Sequence, residues 1–329
     1  RRAFPFDCHS NSCSGDRSIG ILIAAFRIDL SQQPFPLGQN TFPIPMSLLI
    51  SLVLFFIMVS LGLNLPSMQF GLLKRRPALL IRVLLATCVA MPLAALLLLQ
   101  SPLGDGLSLA IKTAVMLTAI CPSAPMIALK SRQLTDNPEL ATRLQFWSAC
   151  AAIISVPIWV SQLPSEAGET VWSIPSQDVA FQIFTVQLIP LLVGVSLRRW
   201  RSEWAERWNS LVQKIATVLL LALLVLILIV ALPQAAPMLI GNLKGALLML
   251  ILTWIALALG FAIAGEDSVE RSTLPLVLSM RNPGLALLII SQMAPSAMDI
   301  KAAVVGYVVI TAIGSAPFMK WRKKTTSQA

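Results

Sequence analysis

Arg281, Asn282, Pro283 and Gly284 stand in the middle of "TLPLVLSMRNPGLALLII", residues 273–290, a run otherwise apolar enough to cross a membrane as a helix. A guanidinium presents a planar fork of donors that suits a carboxylate, and an asparagine amide both donates and accepts. Proline and glycine interrupt the helix and free backbone groups beside those side chains. A second interruption lies in "MLTAICPSAPMIALKSR", where Pro122 and Pro125 flank Ser123 and Ala124 and follow Cys121. In hydrocarbon an unpaired backbone group costs several kcal/mol, so such breaks persist only where protein or a water-filled cavity takes up what they free. The chemistry on offer is recognition of an anion.

The elements that must position these residues are membrane helices. Hydrophobic residues make up 56% of the chain and charged ones 12%, with a mean hydropathy of +0.78, which excludes a soluble domain. A spanning helix needs about 20 mainly apolar residues for a core roughly 30 Å thick. Nine segments qualify, at approximately 44–63, 78–100, 107–129, 144–163, 179–197, 211–232, 240–264, 272–294 and 299–319. The fold class expected is therefore an all-α integral membrane protein, with one transmembrane unit over 43–320 and a tail at 321–329. Nothing resembles an enzyme's nucleophile and base, a nucleotide loop or a channel filter, so no catalytic activity and no cofactor are expected. The five cysteines show no metal-ligand spacing, and no metal is expected.

Residues 1–42 read differently. Their apolar patch "IGILIAAF" is too short to cross a bilayer and has no clear signal-peptide cleavage site, so they are expected to be an extension that is non-native or disordered, with the working protein starting near Met46. Lysine and arginine in the short loops set the orientation. Lys74, Arg75 and Arg76, then Lys130, Arg132 and Arg143, then "LRRWRSEWAERW", then Lys320 to Lys324 alternate with loops poor in basic residues. This pattern puts the C-terminus in the cytoplasm, in a plasma or inner membrane; only the acidic "GEDSVER" disagrees. The net charge of +10 comes from these flanks and implies no nucleic acid. Trp200, Trp204 and Trp208 recur every four residues among four arginines, as one helical stripe at the level of anionic headgroups would. That stripe reads either as a lipid site or as an ordinary interfacial anchor.

Each break falls in the second-to-last helix of its half of the chain. Interrupted helices at corresponding positions of two halves point to the substrate site of a transporter built from inverted repeats. The order of helices, the Cys121-Pro122 break with its polar turn "RQLTDNPELA", and "RNPGLAL" near the end resemble the bile acid:sodium symporter superfamily over roughly residues 44–320. The resemblance implies two inverted repeats (43–163 and 179–319), core and panel domains, and two broken helices that cross near the midplane, where sodium and an organic anion bind. Nine helices with the N-terminus outside match the form that lacks the first helix.

The departures concern sodium. Sodium-coupled members carry a serine-asparagine pair where this chain has Ile127 and Ala128, a glutamate where it has Val277, and a glutamine where it has Arg281. Asn282, Gly284, Leu285 and Ala286 are retained, and other sodium-ligand positions carry Thr87, Ala141 and Gln145. A hard cation bound in a membrane needs several oxygen ligands, usually with a carboxylate, and most of that set is missing. The reading is a secondary transporter of a small or amphipathic organic anion, working by alternating access and not coupled to sodium through the family's usual site; proton coupling, exchange and facilitated diffusion stay open. Arg281 would bind the anion, with Asn282, Ser123, Thr87 and Gln145 as polar contacts. Alternatively Arg281 caps carbonyls exposed at the break, and Asn282 satisfies backbone freed by Pro283. Lys130 and Arg132 either reach a vestibule or mark a helix end. Two other functions compete: metalloid efflux through Cys121, and a non-transporting receptor or scaffold on the same fold.

Overall fold

The computed structural model describes residues 46–65, 75–122, 124, 127–135, 139–160, 162–163, 176–294 and 296–326. The expected extension 1–42 lies outside the described residues, as do Lys74, Ser123 and Pro125. Leu49–Ala329 make up one compact unit, which holds both breaks.

The described residues form helices and no strand. In chain order they are α1 (Met46–Asn64), α2 (Pro77–Gln100), α3 (Leu109–Ile120), α4 (Ile127–Ser131), α5 (Glu139–Val160) and α6 (Ser176–Trp200). There follow α7 (Ser202–Gly241), α8 (Leu243–Ile263), α9 (Ser268–Ser279), α10 (Pro283–Met293) and α11 (Met298–Thr326). Six are long and apolar enough to cross a membrane: α2, α5, α6, α8, the α9–α10 pair and α11. The protein is thus an all-helical integral membrane protein. Their bounds follow the apolar runs in the sequence, most extending about a turn into polar flanks.

Local signals set the starts. Ser108, Asn242, Asp267 and Asn282 each accept a backbone N–H of the first turn of α3, α8, α9 and α10, which satisfies one of the donors every helix N-terminus leaves open. Pro77 and Pro283 occupy first helical positions, where a missing N–H costs nothing. Two crossings are close enough for backbones to touch. A Cβ on Gly194 of α6 would strike Val59 O and come within 3.0 Å of Gly62 Cα, so α6 lies directly on α1. A Cβ on Gly260 of α8 would meet the backbone of Leu274 and Pro275, which seats α9 against α8.

Burial differs sharply between helices. In the α9–α10 pair 89% of the apolar window is buried, against 39–50% in the other five. The interrupted helix is surrounded by protein while the others present a face outward, as the cost of freed backbone in lipid demands. In α3, residues Ala114 to Ile120 are likewise buried throughout.

Two details depart from the sequence reading. The tryptophan stripe is not one helix, because α6 ends at Trp200 and Arg201 leaves helical geometry (φ −130°, ψ 63°) before α7 begins. Trp204 and Trp208 therefore sit on α7, their ring centroids 6.2 Å apart. The span expected over 211–232 is part of α7, a 40-residue helix that continues through Pro233 and Pro237.

Candidate functional site

The two breaks meet. Cys121 closes α3 and Met280 closes α9 in the same extended conformation, φ −85° and ψ 101° in each. The backbone N–H of Ala124 donates to Met280 O at 3.0 Å, and that of Asn282 donates to Cys121 O at 3.3 Å. Two extended segments thus satisfy each other's freed groups deep inside the protein, the arrangement that makes unwound backbone tolerable there. Beyond the crossing, Ser131 Oγ on α4 lies 3.3 Å from Thr273 Oγ1 on α9, tying the short helix back to the opposite one.

Arg281 sits at this crossing and is 4% exposed. Its partner lies on α2, where residues Ala86–Ala90 form a π-helical turn. The N–H of Met91 donates to Ala86 O, one residue further back than in an α-helix, and so leaves Thr87 O without its usual donor. The next residue, Pro92, has no N–H to offer Thr87 or Cys88. Side chains take up both carbonyls: Arg281 Nη1 donates to Thr87 O at 3.2 Å, and Trp159 Nε1 donates to Cys88 O at 2.8 Å. Arg281 therefore caps a carbonyl, but one on a neighbouring helix and not at its own break.

Among the described residues, Arg281 Nε and Nη2 have no hydrogen-bond partner although both are buried. These two nitrogens share one edge of the group, so their N–H bonds run parallel and match the two oxygens of a carboxylate. Thr87 Oγ1, both amide atoms of Gln145, Ser148 Oγ and Ser279 Oγ are also buried without a partner. Thr87 is on α2, Gln145 and Ser148 are on α5, and α5 packs against both the π turn and α9. Tyr307 on α11, Cys88 and Cys121 lie within electrostatic reach of Arg281.

The sequence-derived candidates thus divide. Thr87 touches Arg281 through its carbonyl, and Gln145 lies on the helix beside it. Asn282 is engaged structurally, its Oδ1 accepting from Leu285 N at 3.1 Å. Gly284 makes room for Leu54 of α1, which a Cβ there would meet at 3.1 Å. Pro122 and Cys121 are buried at the crossing. Val277 and Ala141, two positions at which the sequence reading looks for sodium ligands, are both fully buried. No group of three His, Cys, Asp or Glu side chains able to hold a metal ion occurs among the described residues. Arg132 ends near α7, where Gln213, with its amide oxygen turned toward the guanidinium, accepts from Nη1 and Nη2 at 3.1 and 2.9 Å. Sequence reasoning missed Trp159 and Ser148; the signal for the former was Pro92, whose missing N–H calls for a donor from elsewhere.

A helical membrane protein with two interrupted helices paired at a buried arginine has the architecture of a carrier. The sodium bile acid symporter family model matches residues 51–238, more than half of the chain. The chain belongs to that family and is a membrane transporter of the bile acid symporter type. No curated protein matches it.

Proposed function

We propose that the protein carries a small or amphipathic organic anion by alternating access, and that Arg281 holds the anionic group. In this reading the nine spans form two inverted repeats, and the substrate lies beside the crossing of the two breaks. Its carboxylate or sulfonate accepts from Nε and Nη2 of Arg281, while Thr87, Gln145, Asn282 and Ser123 supply neutral contacts. The observation that carries the reading is the pair of adjacent, buried, unpartnered donors on one guanidinium, since a donor buried unpaired costs about 1–3 kcal/mol, more when charged. The N-terminus of α10, directly after Arg281, adds its own positive end. If the resemblance holds at the second break, the guanidinium takes the place of a sodium ligand, so coupling through the usual sodium site is not expected.

Uptake of labelled carboxylates and sulfonates into proteoliposomes, with and without sodium and a pH gradient, tests this. At least one organic anion should accumulate at the same rate in sodium and in choline medium. A strict sodium requirement would refute the coupling assignment, and failure of every organic anion would refute the substrate class.

A second reading, metalloid efflux, draws on Cys121, a free thiol buried at the first break. Under it Cys121→Ser abolishes arsenite transport; under the anion reading arsenite is not carried and the same variant still takes up organic anion.

A further inference from the structure

Serine and threonine in membrane helices commonly turn their hydroxyls back on the helix itself. Thr118, Thr185, Thr217, Thr253 and Ser272 do so, each donating to the carbonyl four residues earlier at 2.7–2.9 Å. Thr87, Ser148 and Ser279 are among those that do not: each is at most 1% exposed, and none of the three hydroxyls has a hydrogen-bond partner. Both amide atoms of Gln145, 2% exposed, are in the same state.

These four residues stand on the elements that meet at Arg281. Thr87 gives its carbonyl to Arg281 Nη1, and Ser279 closes α9 two residues before the guanidinium. Gln145 and Ser148 are neighbours one turn apart on α5, which packs against both the π turn of α2 and α9. From Ser148 to Trp159 is about three turns, so the two share a face. Trp159 donates to Cys88 O of that π turn. The polar face of α5 is therefore the one turned toward α2.

Arg281 supplies the charge of this crossing. The other buried charged residues described, Glu270, Lys301 and Arg322, stand toward the ends of α9 and α11. One guanidinium matches one carboxylate, and what lies beside it is neutral: three hydroxyls, each donor and acceptor, and one amide. A hydrocarbon body would leave these groups buried and unpaired, whereas substrate hydroxyls would pair them, and such a site discriminates strongly against the analogue that lacks the hydroxyl. We propose that the transported anion is a short hydroxylated monocarboxylate, its carboxylate on Nε and Nη2 of Arg281 and its hydroxyls on Thr87, Gln145, Ser148 and Ser279. Resting on Arg281 as the anion holder, this substrate class leaves out amphipathic anions.

The test measures binding of glycerate and gluconate to the purified full-length chain by calorimetry, beside propanoate and hexanoate, which match them in carbon count and have no hydroxyls. The hydroxy acids should bind more tightly than their plain counterparts by about tenfold or more. The double variant Thr87→Val, Ser148→Ala should lose most of that preference, and because it gives up no protein hydrogen bond from those hydroxyls it should melt no lower than the wild type. Thr217→Val on α7 removes a hydroxyl that serves its own helix and should leave the preference as it is. Equal binding of hydroxylated and plain acids by the wild type, an undiminished preference in the double variant, or a preference lost in Thr217→Val would each overturn the proposal; where Arg281→Gln still weakens binding in those cases, the anion site stands without it. Unchanged binding of all four acids in Arg281→Gln would remove the anion site itself, and the proposal with it.

Discussion

Replacing Arg281 by glutamine separates a binding role from a structural one. Glutamine is too short to reach Thr87 O, so the variant loses the one hydrogen bond that the guanidinium makes, worth about 1.5–3 kcal/mol. The variant also no longer holds a cation at mid-membrane, a placement that costs roughly 3 kcal/mol on insertion scales. Its melting temperature in detergent should therefore equal or exceed that of the wild type. Binding responds oppositely. Each hydrogen bond to a charged group contributes about 1.5–3 kcal/mol, and a neutral one about 1 kcal/mol. Exchanging the two-donor fork for a single neutral donor leaves a deficit of roughly 2–5 kcal/mol, which raises KM for the transported anion about 30-fold or more. Arg281→Lys keeps the charge but not the planar fork and should fall between the two. The assay is initial-rate uptake into proteoliposomes over a range of substrate concentrations, beside thermal melting of the same preparations. An unchanged KM in Arg281→Gln, with the melting temperature lowered, would show that the guanidinium only holds α2 to the crossing.

Other consequences concern the frame around the site. Trp159→Phe removes the donor that Cys88 O depends on and should destabilise the protein by about 1–3 kcal/mol, measured as a lower melting temperature. Gly194→Ala forces α6 off α1 against main-chain atoms that cannot rotate away, so a loss of about 1–3 kcal/mol is expected in the same measurement, whereas Gly241→Ala, which meets nothing within 4 Å, should be silent. Asn282→Ala removes the cap of α10 and should cost about 1 kcal/mol, while Asn282→Ser keeps a neutral acceptor there and should recover most of it.

Much of this was legible in the residues because membrane burial makes polar and helix-breaking positions conspicuous. Pro122 and Pro283 located the two breaks to within a residue or two of where α3 ends and α10 begins, and Arg281 stood out as a cation in an apolar run. The link between α9 and α2 was not visible, since it rests on a π turn whose trace in the sequence is faint. Thr87 and Thr185 each precede a proline by five residues, and each lies in a π turn; the proline reads equally well as an ordinary kink. Periodicity misled at the tryptophans, because a spacing of four carries on across Arg201 although the helix does not. The role of Asn282 was open between ligand and backbone, and the capping bond to Leu285 N is a local outcome that Pro283 at the first helical position favours.

The most direct measurement is an experimental structure of the full chain in a lipid nanodisc with a transported, bromine-labelled carboxylate bound. Both carboxylate oxygens should lie within hydrogen-bonding distance of Nε and Nη2 of Arg281, with Nη1 still on Thr87 O. A bound anion seated elsewhere, with those two nitrogens donating to protein groups, would contradict the account.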